Sequence, residues 1–116
     1  MVRLKFRPEL LNHVGSLHAS AIHDVAESAS GHFLILNLLP HFPDSLVLAR
    51  KASIQYKRPV TADCSAKAEV DQEKLSNCVA TLKRRKSTVL NVPVTVFCEG
   101  RVVATAEFEW WLRVTA

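Results

Sequence analysis

The chain has 116 residues, of which 48% are hydrophobic and 22% are charged, a composition typical of a folded domain rather than a disordered chain. The formal net charge is only +4, from 15 basic and 11 acidic residues, which is too modest to indicate a nucleic-acid-binding protein. The length is enough for one domain with a substantial core and too short for two. We therefore predict a single domain over residues 1–116 and no nucleic-acid partner.

The sequence also argues against secretion, membrane insertion and metal binding. The longest apolar run, residues 33–39, is interrupted by Asn37 and is far shorter than the ~20 residues of a membrane span. Residues 1–5 lack the apolar core of a signal peptide. The 3 cysteines and 5 histidines include neither a CxxC pair nor an HExxH motif. We expect a cytoplasmic protein with reduced thiols, no metal and no membrane partner.

In chain order, the sequence predicts an early helix followed by a run of strands. Residues 2–6 alternate apolar and basic side chains as a strand does, and residues 16–32 predict a helix that stops at Gly31. Residues 33–39 predict a short strand or a helix extension. Later segments predict strands at 46–57, 62–70, 89–98 and 102–114, a helix at 71–85, and a hairpin turn at 99–101. This α+β order is typical of an antiparallel sheet that buries one face on a helix.

The early helix divides into an apolar arc and a polar arc when its residues are placed at about 100° steps. The polar arc is centred on Glu27 and consists mostly of small residues: Ser16, Ser20, His23, Asp24, Glu27, Ser30 and Gly31. One interpretation is a solvated helix face, on which His23 and Glu27 form a surface pair. The other is a binding site, because a solvated face usually carries Lys and Glu rather than Ser and Gly.

Motifs along the whole chain resemble those of the PaaI-type hotdog thioesterases, which are similar to 4-hydroxybenzoyl-CoA thioesterase. Residues 12–20 (NHVGSLHAS) resemble the segment that opens the central helix of that family, and Glu27 follows His18 at the interval where the family has Asp or Glu. Residues 53–59 resemble its strand ending in aromatic-x-Arg-Pro, and residues 99–106 resemble its last hairpin. The resemblance implies a single hotdog domain, a curved antiparallel sheet wrapped around one central helix, closest to a poorly characterised branch.

The resemblance also implies catalytic roles for four residues. The N–H of Ala19, near the helix N-terminus, would bind the thioester oxygen as it becomes an oxyanion. Glu27 would act as a partly buried general base on water. Asn12 would hold the water or the thioester, and His18 would orient the helix start. The acyl carrier is expected to be coenzyme A as part of the substrate, with no separate cofactor.

A second group of residues is expected to bind the substrate: Gly15, Ser20, His23, Lys51, Arg58, Arg84 and Arg85. The arginines belong to two basic clusters, residues 57–58 and 83–86, which suit the phosphates of coenzyme A. The sequence does not choose between these clusters. Lys51 is included because Ala49 stands where some family members have a Ser or Thr that contacts the nucleophilic water.

Two hypotheses about function therefore stay open. The first is an acyl-CoA thioesterase. The second is a non-catalytic hotdog domain that binds an acyl-CoA or another small ligand, or that serves as a dimerisation module. The second is favoured by Ala49 and by Ala19-Ser20, which replace the polar residue and the Gly-Gly pair of the family.

A hotdog dehydratase is disfavoured. His41-Phe42-Pro43 resembles a dehydratase motif, but in those enzymes that motif precedes the helix, and here it follows.

The sequence also predicts self-association. The small-residue arc of the helix allows another chain to approach closely, and the strand at residues 2–6 is expected to lie at an uncovered sheet edge. We expect a homodimer or a dimer of dimers, with Glu27 near the subunit boundary.

Overall fold

The computed structural model describes residues 2–5 and 19–115. Its elements in chain order are β1 (Val2–Leu4), α1 (Ala19–Asn37), β2 (Ser45–Tyr56), β3 (Cys64–Ala68), α2 (Gln72–Arg85), β4 (Ser87–Cys98) and β5 (Arg101–Val114). Within the described residues the predicted helices and strands are present with small shifts of their bounds, except at the C-terminal end of the early helix. Within the described residues, no helix combines the length and hydropathy needed to cross a membrane.

The strands form one antiparallel sheet in the order β1-β3-β4-β5-β2. The predicted hairpin turn joins β4 to β5 at Glu99 and Gly100, whose φ angles are +52° and +76°. Glycine adopts this left-handed conformation without steric cost. Because β5 pairs with β4 on one side and with β2 on the other, β2 forms a long edge of the sheet opposite the β1 edge.

The core lies between α1 and one face of the sheet. α1 contributes its apolar arc, in which Ile22, Val25, Ala26, Ala29 and Leu34 are all at most 5% exposed. The sheet contributes every second residue of its central strands, as the side-chain period of a strand requires: Val92, Val94, Val96, Ala104, Ala106 and Phe108. α1 packs against β1, β3 and β4 and touches β5 only lightly, so it lies off-centre and away from β2.

α2 is an amphipathic helix with a cap at each end. The Asp71 carboxylate accepts a hydrogen bond from the N–H of Glu73 at 3.2 Å, and the helix ends at Lys86, whose φ is +68°. Its apolar side, with Cys78 and Leu82 buried, packs against β4. α2 therefore extends the core alongside β4.

The prediction that Gly31 ends the early helix is wrong. α1 continues to Asn37, so the segment at residues 33–37 is the helix extension rather than a strand. The side-chain amide of Asn37 donates to the Phe33 carbonyl at 2.8 Å, within the last turn of the helix. A Cβ built on Gly31 would lie 3.7 Å from Cη2 of Trp110. Gly31 therefore marks a close approach between α1 and the sheet.

Candidate active site

An open trough lies between α1 and the inner face of β2, and we call it the α1–β2 trough. Alternation along β2 places four side chains on the same sheet face as the buried Phe108: Ala49, Ala52, Ile54 and Tyr56. Ala49 and Ala52 are nevertheless exposed, and Tyr56 is 44% exposed. The reason is the off-centre position of α1, which, among the described elements, is the one that packs on this face and does not reach over Ala49 and Ala52.

Tyr56 ties the beginning of α1 to the end of β2. Its hydroxyl donates a hydrogen bond to the Ala19 carbonyl at 3.1 Å. Desolvation raises the pKa of Tyr56, which keeps this hydroxyl protonated and able to donate. The first N–H groups of a helix lack partners within the helix and carry the positive end of its dipole. The exposed residue Ala19 is therefore held where a developing negative charge would be stabilised.

Glu27 lies further along α1 and is exposed in the single chain. It follows Ala19 by two turns, about 12 Å along the helix axis. Side chains of a helix lean toward its N-terminus, so the carboxylate extends toward the Ala19 end. Among the described residues Glu27 has no salt-bridge partner, and the possible surface pair with His23 is not formed. The expectation that Glu27 is partly buried does not hold for the single chain.

His23 lies one turn before Glu27 and is half-buried rather than solvated. Its ring packs edge-on against Phe108, with ring centroids 5.5 Å apart and an interplanar angle of 75°. This contact links the polar arc of α1 to the core side of β5. His23 therefore contributes to the packing of α1 on β5 beside the trough.

Ser30 is buried, contrary to its predicted place on an open polar arc. It is 0% exposed, its hydroxyl donates to the Glu27 carbonyl at 2.7 Å, and it accepts a hydrogen bond from Nε1 of Trp110 at 3.2 Å. Both polar functions of the hydroxyl are thus satisfied inside the protein. The arc is divided: Glu27 and Ser20 remain exposed, whereas Ser30 packs onto β5.

The two predicted basic clusters lie at opposite ends of the sheet. Arg58 follows the Tyr56 end of β2, where its N–H donates to the Val103 carbonyl at 3.2 Å. Arg84 and Arg85 lie at the end of α2, beside Lys86, whose carbonyl accepts from the N–H of Val114 near the start of β2.

β2 has 12 residues, so its two ends are about 36 Å apart. The Arg58 cluster is therefore at the Ala19 end of the trough, and the α2 cluster is at the other end.

A groove of about 550 Å³ adjoins Arg58, and we call it the Arg58 groove. It is lined by Arg58, Pro59, Thr61, Cys98, Glu99, Arg101 and Val103. Arg101 places a second exposed guanidinium in this groove, and sequence reasoning missed it. In the sequence Arg101 is simply part of a hairpin turn. Only the pairing of β4 with β5 and of β5 with β2 brings it near Arg58.

Lys51 lies on the face of the sheet opposite α1. It pairs with Glu109, whereas the next residue, Ala52, pairs with the core residue Phe108. A register shift at Arg50, whose Nε donates to the Glu109 carboxylate at 2.9 Å, allows Ala49 to face inward while Lys51 faces outward. The sheet thus separates Lys51 from Glu27.

The other predicted site residues are only partly described. Ser20 is exposed in the first turn of α1. Asn12, Gly15 and His18 lie outside the described residues.

A protein-family model described as a domain of unknown function, DUF4442, matches residues 1–112. The chain belongs to the DUF4442 family. A search of the curated proteins gave no significant match.

Solved structures similar to this DUF4442 chain have the hotdog fold. PA5026 from Pseudomonas aeruginosa, named a probable thioesterase, superposes with a TM-score of 0.81 at 22% identity, covering 96% of this chain and 74% of its own. BH2602 from Bacillus halodurans, solved with CoA, gives 0.70 at 19% identity, covering 95% and 68%. The gentisyl-coenzyme A thioesterase BH1999 gives 0.68 at 14% identity, covering 96% and 86%. The predicted hotdog fold is therefore confirmed.

Proposed function

We propose that the DUF4442 chain is an acyl-CoA thioesterase in which Glu27 is the general base and the N-terminus of α1 at Ala19 is the oxyanion site. The observation that carries the proposal is the Tyr56–Ala19 hydrogen bond, which holds the helix N-terminus at the same end of the sheet as the Arg58 groove. Glu27 is exposed further along the same helix. The thioesterase names of two solved structures with the same fold, and the CoA in a third, support the reaction class.

The reaction would use these groups as follows. The Glu27 carboxylate takes a proton from water while the water oxygen bonds to the thioester carbon. The carbonyl oxygen becomes an oxyanion at the N–H of Ala19, a donor typically worth ~3 kcal/mol of transition-state stabilisation. The C–S bond then breaks, and the CoA sulfur takes the proton from Glu27. Asn12 would position the water or the thioester, and His18 would orient the helix start.

The Arg58 groove is the proposed site for the CoA phosphates. Arg58 and Arg101 are both exposed and both line this groove, and guanidinium groups bind phosphate through paired N–H donors. The groove adjoins the end of β2 that contacts Ala19, so the phosphates and the thioester can belong to one extended ligand. Arg84 and Arg85, at the far end of β2, are too distant for this role.

A homodimer formed along β2 would complete the site. β2 is a 12-residue edge strand with an uncovered inner face, and such an edge is suited to pairing with another chain. In one chain Glu27 is open to solvent and about 12 Å from Ala19 along α1. A second chain over the trough would exclude water and bring its own α1 close to these residues.

Binding without hydrolysis is the second candidate, favoured by Ala49. This residue lies on the inner face of β2, and Lys51, the expected substitute, faces the other side of the sheet. Neither residue therefore offers a polar side chain to a nucleophilic water in the trough. A chain that binds acyl-CoA and releases it unchanged would fit this feature.

The deciding experiment measures CoA release from a panel of short-chain, long-chain and aromatic acyl-CoAs. We expect turnover by the wild-type protein and a loss of about 10² to 10⁴-fold in kcat for Glu27→Gln, which keeps the shape of the side chain but accepts no proton. Glu73→Gln, at an exposed position of α2, is the matched control and should retain activity. Saturable binding without release would favour the second candidate, and wild-type turnover by Glu27→Gln would refute the mechanism.

A further inference from the structure

Trp110 lies against α1 directly beyond Glu27. The indole edge approaches Gly31, one turn after Glu27, with 3.7 Å between Cη2 and a Cβ built on that glycine. On the sheet, Trp110 is paired with Ala49 of β2 and with Leu90 of β4, and it shares the inner face with Phe108. The ring therefore occupies the space between the helix and the sheet at this point of the trough.

Two hydrogen bonds hold the indole in this position. Its Nε1–H donates to Ser30 Oγ at 3.2 Å, and Ser30 Oγ donates to the Glu27 carbonyl at 2.7 Å. Ser30 is completely buried, so this connection is shielded from water. The orientation of Trp110 is thus coupled to the helical turn that carries Glu27.

The rest of the inner face of β2 carries aliphatic side chains, of which Ile54 is half-buried and the two alanines are exposed. Between Tyr56 at one end and Trp110 at the other, β2 presents Ile54, Ala52 and Ala49 to the trough. Ala49 and Ala52 are exposed, so neither fills the space above the strand. The trough is therefore a shallow apolar channel with an aromatic ring at each end.

The distance from Glu27 to the indole is short. Four residues separate Glu27 from Gly31, which is about 6 Å along the helix axis. The indole N–H is already used by Ser30, so the ring offers an apolar surface rather than a hydrogen bond to whatever lies beside it. A thioester whose carbonyl oxygen lies at the N–H of Ala19 has 12 residues of α1, about 18 Å, between that N–H and the ring beside Gly31.

We infer that Trp110 is the end wall of the acyl site, and that it sets the longest acyl chain that the trough accepts, at about 18 Å from the oxyanion site. The inference rests on the proposed function, because it takes the α1–β2 trough as the acyl site. It assigns Trp110 as a specificity-determining residue and Ser30 as the residue that positions it.

The test measures the binding of non-hydrolysable acyl-CoA thioethers of increasing chain length by calorimetry, below the concentrations at which they form micelles. For the wild-type protein, affinity should rise with chain length until the chain reaches the indole and should then fall. Trp110→Ala should extend the accepted length, with affinity rising about fourfold for each further methylene that the enlarged trough buries. Trp110→Phe, which keeps a ring, should extend it less, and it provides the same test if the alanine variant does not fold. Ser30→Ala removes the acceptor of the indole N–H and lets the ring move. Affinity should then fall less sharply beyond the chain-length limit, but the limit should remain.

Trp111→Ala is the matched control. Trp111 is adjacent in sequence but lies on the other face of β5, opposite Leu48 and Val89, and its removal should leave the length profile unchanged. The inference is overturned if wild-type affinity keeps rising with chain length, if folded Trp110→Ala and Trp110→Phe keep the wild-type limit, or if no thioether binds.

Hydrolysis of the matching thioesters is measured separately. A shifted binding profile without CoA release by any variant would refute the proposed catalysis and leave the assignment of Trp110 standing. Glu27-dependent hydrolysis, with a chain-length limit that no Trp110 variant changes, would support the proposed catalysis and refute the assignment of Trp110.

Discussion

Tyr56 and Ala19 are 37 residues apart in sequence and meet through one hydrogen bond at the end of the trough. This contact fixes the carbonyl of the residue whose N–H is proposed to bind the oxyanion. Tyr56 is itself 44% exposed, so the bond is accessible to water and contributes modestly to stability. Its larger effect is expected on the geometry of the helix N-terminus.

Removing the Tyr56 hydroxyl tests this positioning role. We expect Tyr56→Phe to lower kcat about two- to tenfold with KM little changed, as for a lost hydrogen bond of ordinary strength that matters mainly in the transition state. Steady-state kinetics and a thermal melt separate the two effects. A reduced Tm with unchanged kcat would show that the hydroxyl serves the fold alone.

The arginines of the Arg58 groove are predicted to bind substrate rather than to perform chemistry. Arg58→Gln and Arg101→Gln should each raise KM by up to about tenfold with kcat nearly unchanged, since these side chains are exposed and contact only the carrier. The effect should shrink at high salt, because screening weakens exposed charge pairs.

Arg84→Gln and Arg85→Gln are the controls for this prediction, because they lie at the far end of β2. If KM rises for these variants and not for the Arg58 and Arg101 variants, the CoA phosphates bind at the α2 end of β2, and the prediction is contradicted.

At the scale of elements, the paired strands β3 and β4 bury two thiols against each other. Cys64 lies opposite Cys98 in the antiparallel register, and both are buried. Burial, with a smaller contribution from Cys98, raises the pKa of Cys64 to about 11, and burial raises the pKa of Cys78 on α2 to about 11 as well. Cys64 and Cys78 are therefore structural thiols, which stay protonated and unreactive at neutral pH.

The raised thiol pKa values predict a loss of stability in alkali. A thiol whose pKa is higher in the folded state than in the unfolded chain stabilises the fold fully below its unfolded pKa, about 9. That contribution disappears as the pH rises toward about 11. We expect the Tm to fall across this interval, and to fall less steeply for Cys64→Ala/Cys78→Ala, although this variant starts from a lower Tm. If the Tm falls equally steeply with pH in the wild-type protein and in the variant, groups other than these thiols cause the alkaline loss of stability.

At the scale of the whole molecule, the uncovered inner face of β2 predicts a homodimer. The chain has a mass of 12.9 kDa, so light scattering should give about twice this value, or four times for a dimer of dimers. Ala52→Arg places a long charged side chain on an exposed position of the inner face, and it should produce a folded monomer with reduced activity.

Gln55→Arg is the control for this prediction, with the same substituent on the outer face of the same strand. A wild-type protein that is monomeric at micromolar concentration would contradict the interface.

Much of the fold follows from local patterns that the sequence displays. The apolar arc of α1, the alternation along β4 and the turn at Glu99-Gly100 are properties of neighbouring residues, so periodicity and turn chemistry were sufficient to predict them. The spacing of Ala19 and Glu27 on one helix is also local. Resemblance to a known family then gave the hotdog fold, which the solved structures confirm.

Other features depended on which strands pair and in which register, and these required the tertiary structure. The packing of α1 on β5 brought Trp110 under Gly31, and the pairing of β5 with β2 turned Lys51 away from Glu27 and placed Arg101 beside Arg58. The length of β2 separated the two basic clusters that look equivalent in the sequence. The physical reason is that a side chain's face on a strand reverses with a shift of one residue, so a single bulge at Arg50 redirects its neighbours in a way that local periodicity does not reveal.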